Sequence, residues 1–460
     1  MTVASAGKRD GMLLTLASES NERGEADGRA VTFDVQVGKV FANLQIGADV
    51  SGAKALKANE RLGYRGVQII GAGFIVTPTQ ATALGLGTIN GVEQHIRNYR
   101  NGRDLMAAPR GVMVIDLFGL NEAQAKSQFP AVYQHVLDNV KPERDQNNRD
   151  SYKKNWWIFG EPRRDLRPAL VGLPRYIATV ETSKHRVFQF LDASVLPDNM
   201  LIAIGMNDAS KLSVLSSRFH VIWALGIGGT LEDRPRYNKS VCFDPFPFPT
   251  LTDPQRDTLR QLGEDLDAHR KRQQAAHPKL TLTQMYNVLE KLRAEDVIAG
   301  KDREIYDDGL IAILRDLHDQ IDAAVADAYG WPADLSDEDI LFRLVALNKE
   351  RAEEEARGVV RWLRPEYQNP TGAQAQAKDG KLDLGDAPVN TADKPAWPKT
   401  MPDQVAAVRD VLSGMGEGSP EQIARQFKRG RGATVEVLLQ GIVALGLADR
   451  TGAGTYRVNR

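Results

Sequence analysis

The chain has 460 residues, 59 of them Lys or Arg and 60 Asp or Glu, for a formal net charge of −1. This length exceeds what a single hydrophobic core sustains, so more than one domain is expected, and with the charges balanced any nucleic-acid surface must come from their uneven distribution. The lone Cys242 excludes an internal disulfide, no Cys/His cluster has zinc spacing, and no apolar run reaches the ~20 residues of a membrane helix, so a reducing, cytoplasmic setting without a structural metal is expected.

Residues 1–30 are small, polar and Gly-rich around one short apolar patch, GMLLTLA, and are expected to order poorly. From Val31 short β-type runs alternate with Gly turns. Thr77, Pro78 and Gln80 carry the signature of a helix start with a capping box. Gly71-Ala72-Gly73-Phe74 follows the apolar run VQII. A Gly-rich turn after a strand can cradle a cofactor, but no helix opens from it and no acid ends a following strand, so a glycine hairpin or bulge is the preferred reading. GVMVIDLFGL predicts a buried strand, and Asn121 predicts the N-cap of the helix after it.

Between Lys141 and Arg186 eleven basic residues face six acids, interleaved with Trp156, Trp157 and Tyr176. This excess is the chain's strongest electrostatic footprint for phosphate contact. Its candidates are Lys141, Arg144, Lys153, Lys154, Arg163, Arg164, Arg175 and Arg186. The two tryptophans read as core. PRYIATVE, RVFQFL and MLIAIG are strand candidates, and KLSVLSSRFHVIWALG carries a helical apolar stripe at Leu212, Leu215, Phe219, Ile222 and Trp223. His220, beside that stripe, reads as a packing residue. The loop GIGGTLEDRPRYNKS follows, with glycines that let backbone approach a partner and with Thr230, Glu232, Arg234, Arg236, Asn238 and Lys239 as donors and acceptors of the kind that read base edges. An ordinary polar loop in which Arg and Glu pair with each other is the alternative.

From Thr252 the text turns helical and charged, with Thr281 and Gln284 spaced as a capping box and apolar residues recurring at three and four, as in Leu310, Ile313, Leu314, Leu317 and Ile321. These helices are expected to bundle. His318-Asp319 and Glu353-Glu354-Glu355 read as a solvated helix face. Residues 366–400, rich in Ala, Gly, Pro and Asp, predict a flexible linker. After it come three helices and a hairpin, the pattern of a winged helix, with Arg425, Lys428, Arg429 and Arg431 just before the third helix as phosphate candidates.

Pro174-Arg175-Tyr176, Ser183-Lys184-His185, Leu215-Ser216-Ser217-Arg218, Arg236-Tyr237 and the closing Phe243-Asp244-Pro245-Phe246-Pro247-Phe248-Pro249 together resemble the target-recognition region of MmeI-like adenine DNA methyltransferases. LTLTQMYN, DAYGW and RWLRPEYQ resemble the helical tail that follows it in the same family. The resemblance covers about 35–365 and implies a mixed sheet-and-helix target-recognition domain over 31–250 and a helical domain over 251–365; with the linker and the winged helix read over 401–460 from their own pattern, an α+β fold is expected. It also implies base reading by Ser183, Lys184 and His185 beside the 230–239 loop.

The catalytic signatures of that family are not in the text. No Gly loop suits S-adenosylmethionine, and Asn369-Pro370-Thr371-Gly372, the nearest approach to an Asn-Pro-Pro-Tyr loop, lacks the second Pro and the aromatic residue. No P-loop and no defensible nuclease pattern is found. The expectation is a detached or split specificity portion of an adenine-N6 methyltransferase of restriction-modification or phage-defence type. It would bind duplex DNA and rely on a catalytic chain or domain for S-adenosylmethionine. The alternative is a non-catalytic interaction protein or fragment that binds DNA without specificity or binds a methyltransferase partner.

Overall fold

The computed structural model describes residues 11–23, 29–38, 47–231, 234–372, 397–398, 401–415, 417–424, 426–427, 432–444, 448–451 and 455–458. They fall into two units, Met1–Lys378 and Asp379–Arg460. The first opens with β1 (Gly11–Arg23) paired antiparallel to β2 (Arg29–Gly38). This hairpin stands where the sequence predicts a poorly ordered segment. Met12 faces Val37, Leu14 faces Val35 and Leu16 faces Phe33 across it, so alternation puts all six on one face, and all six are exposed.

Next come β3 (Gly63–Arg65), β4 (Ile75–Val76), β5 (Ile96–Arg100), β6 (Met113–Ile115), β7 (Arg175–Val180), β8 (Gln189–Asp192), β9 (Val195–Pro197) and β10 (Leu201–Ile204). They form two four-stranded sheets, β4-β6-β5-β9 and β3-β10-β7-β8. The second is antiparallel throughout, with Ile202 opposite both Arg65 and Thr179. The predicted capping boxes at Thr77 and Thr281 are formed, and the predicted N-cap Asn121 forms one as well, with Gln124.

Burial of the second sheet on both faces follows from the two-residue period of its strands. Ile177, Phe190, Ile202 and Ile204 point into the largest core, and Tyr176, Ala178, Val180, Leu201 and Ala203 point to a smaller cluster with Leu105 and Leu166. The predicted single apolar helix divides at Ser217 into helices Ala209–Ser216 and Arg218–Gly228, because extended backbone at Ser217 restarts the second as its N-cap.

The boundary expected at residue 250 has no counterpart in the packing. Leu259, Leu266, Met285, Leu314 and Ile340 share one core with Leu212, Phe219, Trp223 and Phe243. Helix Asp253–Ala276 lies tight on helix Ala209–Ser216 at Gly263, where an added Cβ would come within 2.3 Å of the Ala209 carbonyl oxygen. The predicted linker begins later than 366, since the Gln368 amide still donates to the carbonyls of Ala58 and Glu60 at 3.0 and 2.7 Å.

The second unit holds helices Met401–Met415, Pro420–Ala424 and Gly432–Ala444 and the strands β11 (Glu417–Gly418), β12 (Ala448–Arg450) and β13 (Tyr456–Val458), with β13 central and antiparallel to both neighbours. Val408, Leu412, Ile423, Phe427, Leu439 and Tyr456 form its core. Arg425, Lys428, Arg429 and Arg431 lie outside the described residues.

Candidate nucleic-acid interface

A cleft of about 630 Å³ opens beside the strand ends of the second sheet. One wall grows from β3, which ends at Arg65, and from β7, which leads into Glu181. The loop after helix Arg218–Gly228 supplies a second wall. It turns at Gly229, whose φ of 67° is left-handed, and runs through the two-residue strands Thr230–Leu231 and Arg234–Pro235. It is then sewn to the sheet by a Thr182–Arg236 bridge and by the Tyr237 N–H donating to the Glu181 carbonyl at 2.6 Å. Asn238 caps the turn Lys239–Phe243 and accepts from the Ser240 N–H at 3.1 Å. The third wall is the segment 160–166, held by a Gln68–Glu161 bridge. Arg163 sits in it with φ of 53°, a strained value for a side-chain-bearing residue, and its Nε donates to the Gly66 carbonyl at 3.1 Å.

Arg65, Arg163, Arg164, Arg236 and Lys239 therefore meet around Glu161, Asp165 and Glu181. Glu181 is buried and takes Nε and Nη2 of Arg236 on Oε1 at 2.9 and 2.8 Å and Nη2 of Arg65 on Oε2. Arg163 pairs with Glu161 at 2.7 Å and Lys239 with Asp244 at 2.8 Å. Arg164 is exposed, its guanidinium 6.0 Å from the Phe118 ring. Burial, reinforced by Tyr367, raises the Tyr64 phenol well above its ordinary range, so it stays a hydrogen-bond donor at the cleft wall. The arrangement presents fixed donors in excess of acceptors, which suits an anionic, acceptor-rich ligand with edges to read.

Residues 60–250, which build this cleft, match the family model for the MmeI target recognition domain. The match covers less than half of the chain. DNA methyltransferase A of Bacillus subtilis (strain 168) is 24% identical over 162 residues, which cover 35% of this chain and 16% of the relative. The solved structure of the Type IIL restriction-modification enzyme MmeI in complex with DNA is similar at a TM-score of 0.54 and 16% identity, covering 72% of this chain and 41% of that one. That likeness shows the fold. The chain thus spans less than half the length of each of these proteins.

The fold gathers only some of the predicted site residues into the cleft. Arg163, Arg164, Arg236, Asn238 and Lys239 line it. Arg234 is exposed on its short strand, Thr230 is in the paired strand, and Glu232 lies outside the described residues. Lys153 and Lys154 are exposed at the end of helix Asp150–Lys154. Lys141 pairs with Asp145 at 2.6 Å, and Arg175 forms a two-point pair with Glu264 while lying 3.7 Å from the Phe190 ring centroid.

Two phosphate candidates are corrected outright. Arg144 is fully buried, and its Nη2 donates to the carbonyls of Ile69 and Ile158, both at 2.9 Å. Arg186 is buried against Tyr237 and donates to Thr179 Oγ1, to the Val180 carbonyl and to the Pro235 carbonyl. Burial lowers its pKa to about 10. Both arginines are buried and donate to backbone carbonyls. Lys184 and His185 turn toward helix Leu282–Arg293, where Asn287 Oδ1 receives the Lys184 ammonium at 2.7 Å and faces His185 Nε2 at 2.8 Å. Ser183 stays near the loop through its N–H to the Pro235 carbonyl at 3.3 Å.

Arg65 and Glu181 are cleft residues that no sequence pattern singles out. Arg65 is one of only two charged residues in RLGYRGVQII, with Arg61, and belongs to no motif, and Glu181 reads as one more acid among the basic residues. Only the antiparallel pairing of β3 and β7 with β10 carries their strand ends to the same place.

The Gly71–Phe74 turn does not fit S-adenosylmethionine. A Cβ on Gly73 would meet the Asn139 carbonyl oxygen at 2.3 Å, and one on Gly71 would meet Val140 at 3.2 Å, so these glycines admit the end of helix Pro130–Asn139, leaving no cradle. His220 is fully buried, with Nε2 2.9 Å from the Tyr237 hydroxyl, and is a packing residue. Among the described residues no cluster of three or more His, Cys, Asp or Glu is placed to hold a metal ion, and no helix is long and apolar enough to cross a membrane.

Proposed function

We propose that this chain is the DNA-binding specificity portion of an adenine-N6 DNA methyltransferase of restriction-modification or phage-defence type. It binds duplex DNA with the cleft and reads bases with Arg236, Asn238 and Lys239. One observation carries the reading: within a segment of the MmeI target recognition type, the fold brings Arg163 and Arg164 of the basic stretch to the same cleft as the 236–239 loop. Phosphate contacts set register and affinity, and base-edge contacts set sequence, so a cleft combining both kinds of donor is what sequence-specific binding requires.

Methyl transfer and S-adenosylmethionine belong, in this reading, to a catalytic chain or domain, because the Gly71–Phe74 turn is filled by helix Pro130–Asn139. The exposed apolar face of the β1–β2 hairpin supports a protein partner of that kind. The second unit's three helices and three-stranded sheet support a winged helix that adds a further DNA contact.

Selection from a randomised duplex pool by the purified chain at moderate salt, with sequencing of the bound fraction, tests this. Enrichment of a short motif is expected. Binding without enrichment would reduce the chain to a non-specific DNA-binding protein. No binding would leave the alternative of a partner-binding protein.

A further inference from the structure

Glu181 is out of place on a surface that receives a polyanion. It places a negative charge in the lining of the cleft, it is buried, and its two oxygens take arginines from two different segments, Arg236 of the loop on Oε1 and Arg65 of β3 on Oε2. The fold does not need the side chain to hold the loop, since the Glu181 carbonyl already accepts the Tyr237 N–H at 2.6 Å and Thr182 bridges Arg236. What the carboxylate adds is orientation. Arg65 and Arg236 are 40% and 44% exposed; Arg236 meets Glu181 side-on through Nε and Nη2, Arg65 meets it through Nη2 alone, and Nη1 of each is left free of Glu181.

Phosphate contact gains nothing from such fixing and loses attraction to the neighbouring acid. Base reading gains from it, because a guanidinium end with two parallel N–H groups matches O6 and N7 of guanine only when its plane is set. Two guanidiniums on the two oxygens of one carboxylate are also close enough to address base pairs one step apart, a rise of about 3.4 Å.

We propose that Glu181 is a positioning residue that aims Arg65 and Arg236 together, so that the pair reads guanines at neighbouring base pairs and Arg65 becomes a specificity-determining residue. The inference rests on the DNA-reading function proposed above and names the bases it selects.

Selection from the randomised duplex pool is repeated with the full-length chain and with Arg65→Ala, Arg236→Ala, Glu181→Gln and Glu181→Asp, alongside melting temperatures and affinity for a duplex lacking the motif. The wild-type motif is expected to contain two guanines at adjacent base pairs, on one strand or on opposite strands. Each arginine variant relaxes one of them by roughly 5- to 150-fold. Glu181→Gln relaxes both by about tenfold or more, yet binds the motif-free duplex as well as or more tightly than wild type, because a negative charge has gone. Glu181→Asp recovers part of the preference. A merely structural carboxylate would instead lower the melting temperature and weaken all duplexes alike, and that outcome overturns the proposal. So does an enriched motif without neighbouring guanines, or one that Arg65→Ala leaves intact, and both of these leave the DNA-reading function standing. A wild-type chain that enriches nothing removes that function and this inference with it.

Discussion

Arg144 shows how a single residue can mislead a reading of charge along the chain. Its guanidinium lies 5.7 and 5.2 Å from the ring centroids of Phe74 and Tyr152 and its Nη2 holds the Ile69 and Ile158 carbonyls, so backbone acceptors and π faces offset part of its cost of burial, while Nε and Nη1 are buried without a hydrogen-bond partner. Arg144→Met is expected to lower unfolding free energy by roughly 2 to 4 kcal/mol in denaturant titration, with the salt dependence of DNA binding unchanged in the folded fraction. Burial pushes the His220 imidazole down to about 3 and holds His318 well below the usual range; His318 and Glu355, expected on a solvated face, are both buried by packing between distant segments. The unfolded chain then binds more protons than the folded one below pH about 6.5, so stability is intact above that value and is lost as pH falls toward the folded-state pKa. Asp322, pushed up to about 6 by burial, acts in the opposite sense, which makes a comparison of variants the useful measurement. The slope of unfolding free energy against pH between 6.5 and 5 should be smaller in His220→Gln, by up to about 1.4 kcal/mol per pH unit. The Cys242 thiol is buried, and its pKa is raised to about 11. A thiol-specific aromatic disulfide at pH 8 is expected to leave it unmodified in the native chain and to titrate one thiol per chain in denaturant.

At the scale of elements, the loop that carries Arg236 owes its path to close backbone contact. A Cβ on Gly228 would stand 2.4 Å from the Arg236 carbonyl oxygen and 3.0 Å from the Cys242 sulfur. Gly228→Ala must therefore shift the strand that presents Arg236. It should cost about 1 to 3 kcal/mol of stability and weaken preference for the selected motif more than binding to unrelated duplex, as read by paired affinity measurements. The strands and helices themselves are largely legible. β-branched and aromatic runs mark β7, β8 and β10, and Thr-x-x-Gln spacing marks helices whose capping boxes form. The continuous stripe from Leu212 to Trp223 hides the break at Ser217, because a residue that caps a new helix does not interrupt an apolar pattern. The β1–β2 hairpin escapes a reading by composition because its apolar alternation lies in a Gly- and polar-rich stretch, where turn and coil signals outweigh a face left exposed.

At the scale of the whole molecule, near-neutral charge says little about any polyanion site, because charge is unevenly spread: the cleft is lined by Arg65, Arg163, Arg164, Arg236 and Lys239 against Glu161, Asp165 and Glu181. Arg164 is exposed there with its guanidinium near the Phe118 ring, so Arg164→Ala is expected to weaken binding to all duplexes about equally and to reduce the slope of log affinity against log salt by about 1. The sequence by itself determined most of the element types and the second helical unit, since these rest on local periodicity, capping and turn chemistry that act within a few residues, while the segment over 60–250 was marked by its resemblance to a known family. It also indicated the basic stretch but could not rank its members. Burial separates Arg144 and Arg186 from Arg163 and Arg164, and burial is a property of packing between distant segments. The union of 31–250 with 251–365 in one core, and the meeting of Arg65, Glu181 and Arg236, were likewise decided only by tertiary structure. Strand pairing through β10 joins Arg65 to Glu181 across 116 positions of sequence, and no local pattern in the chain encodes that distance.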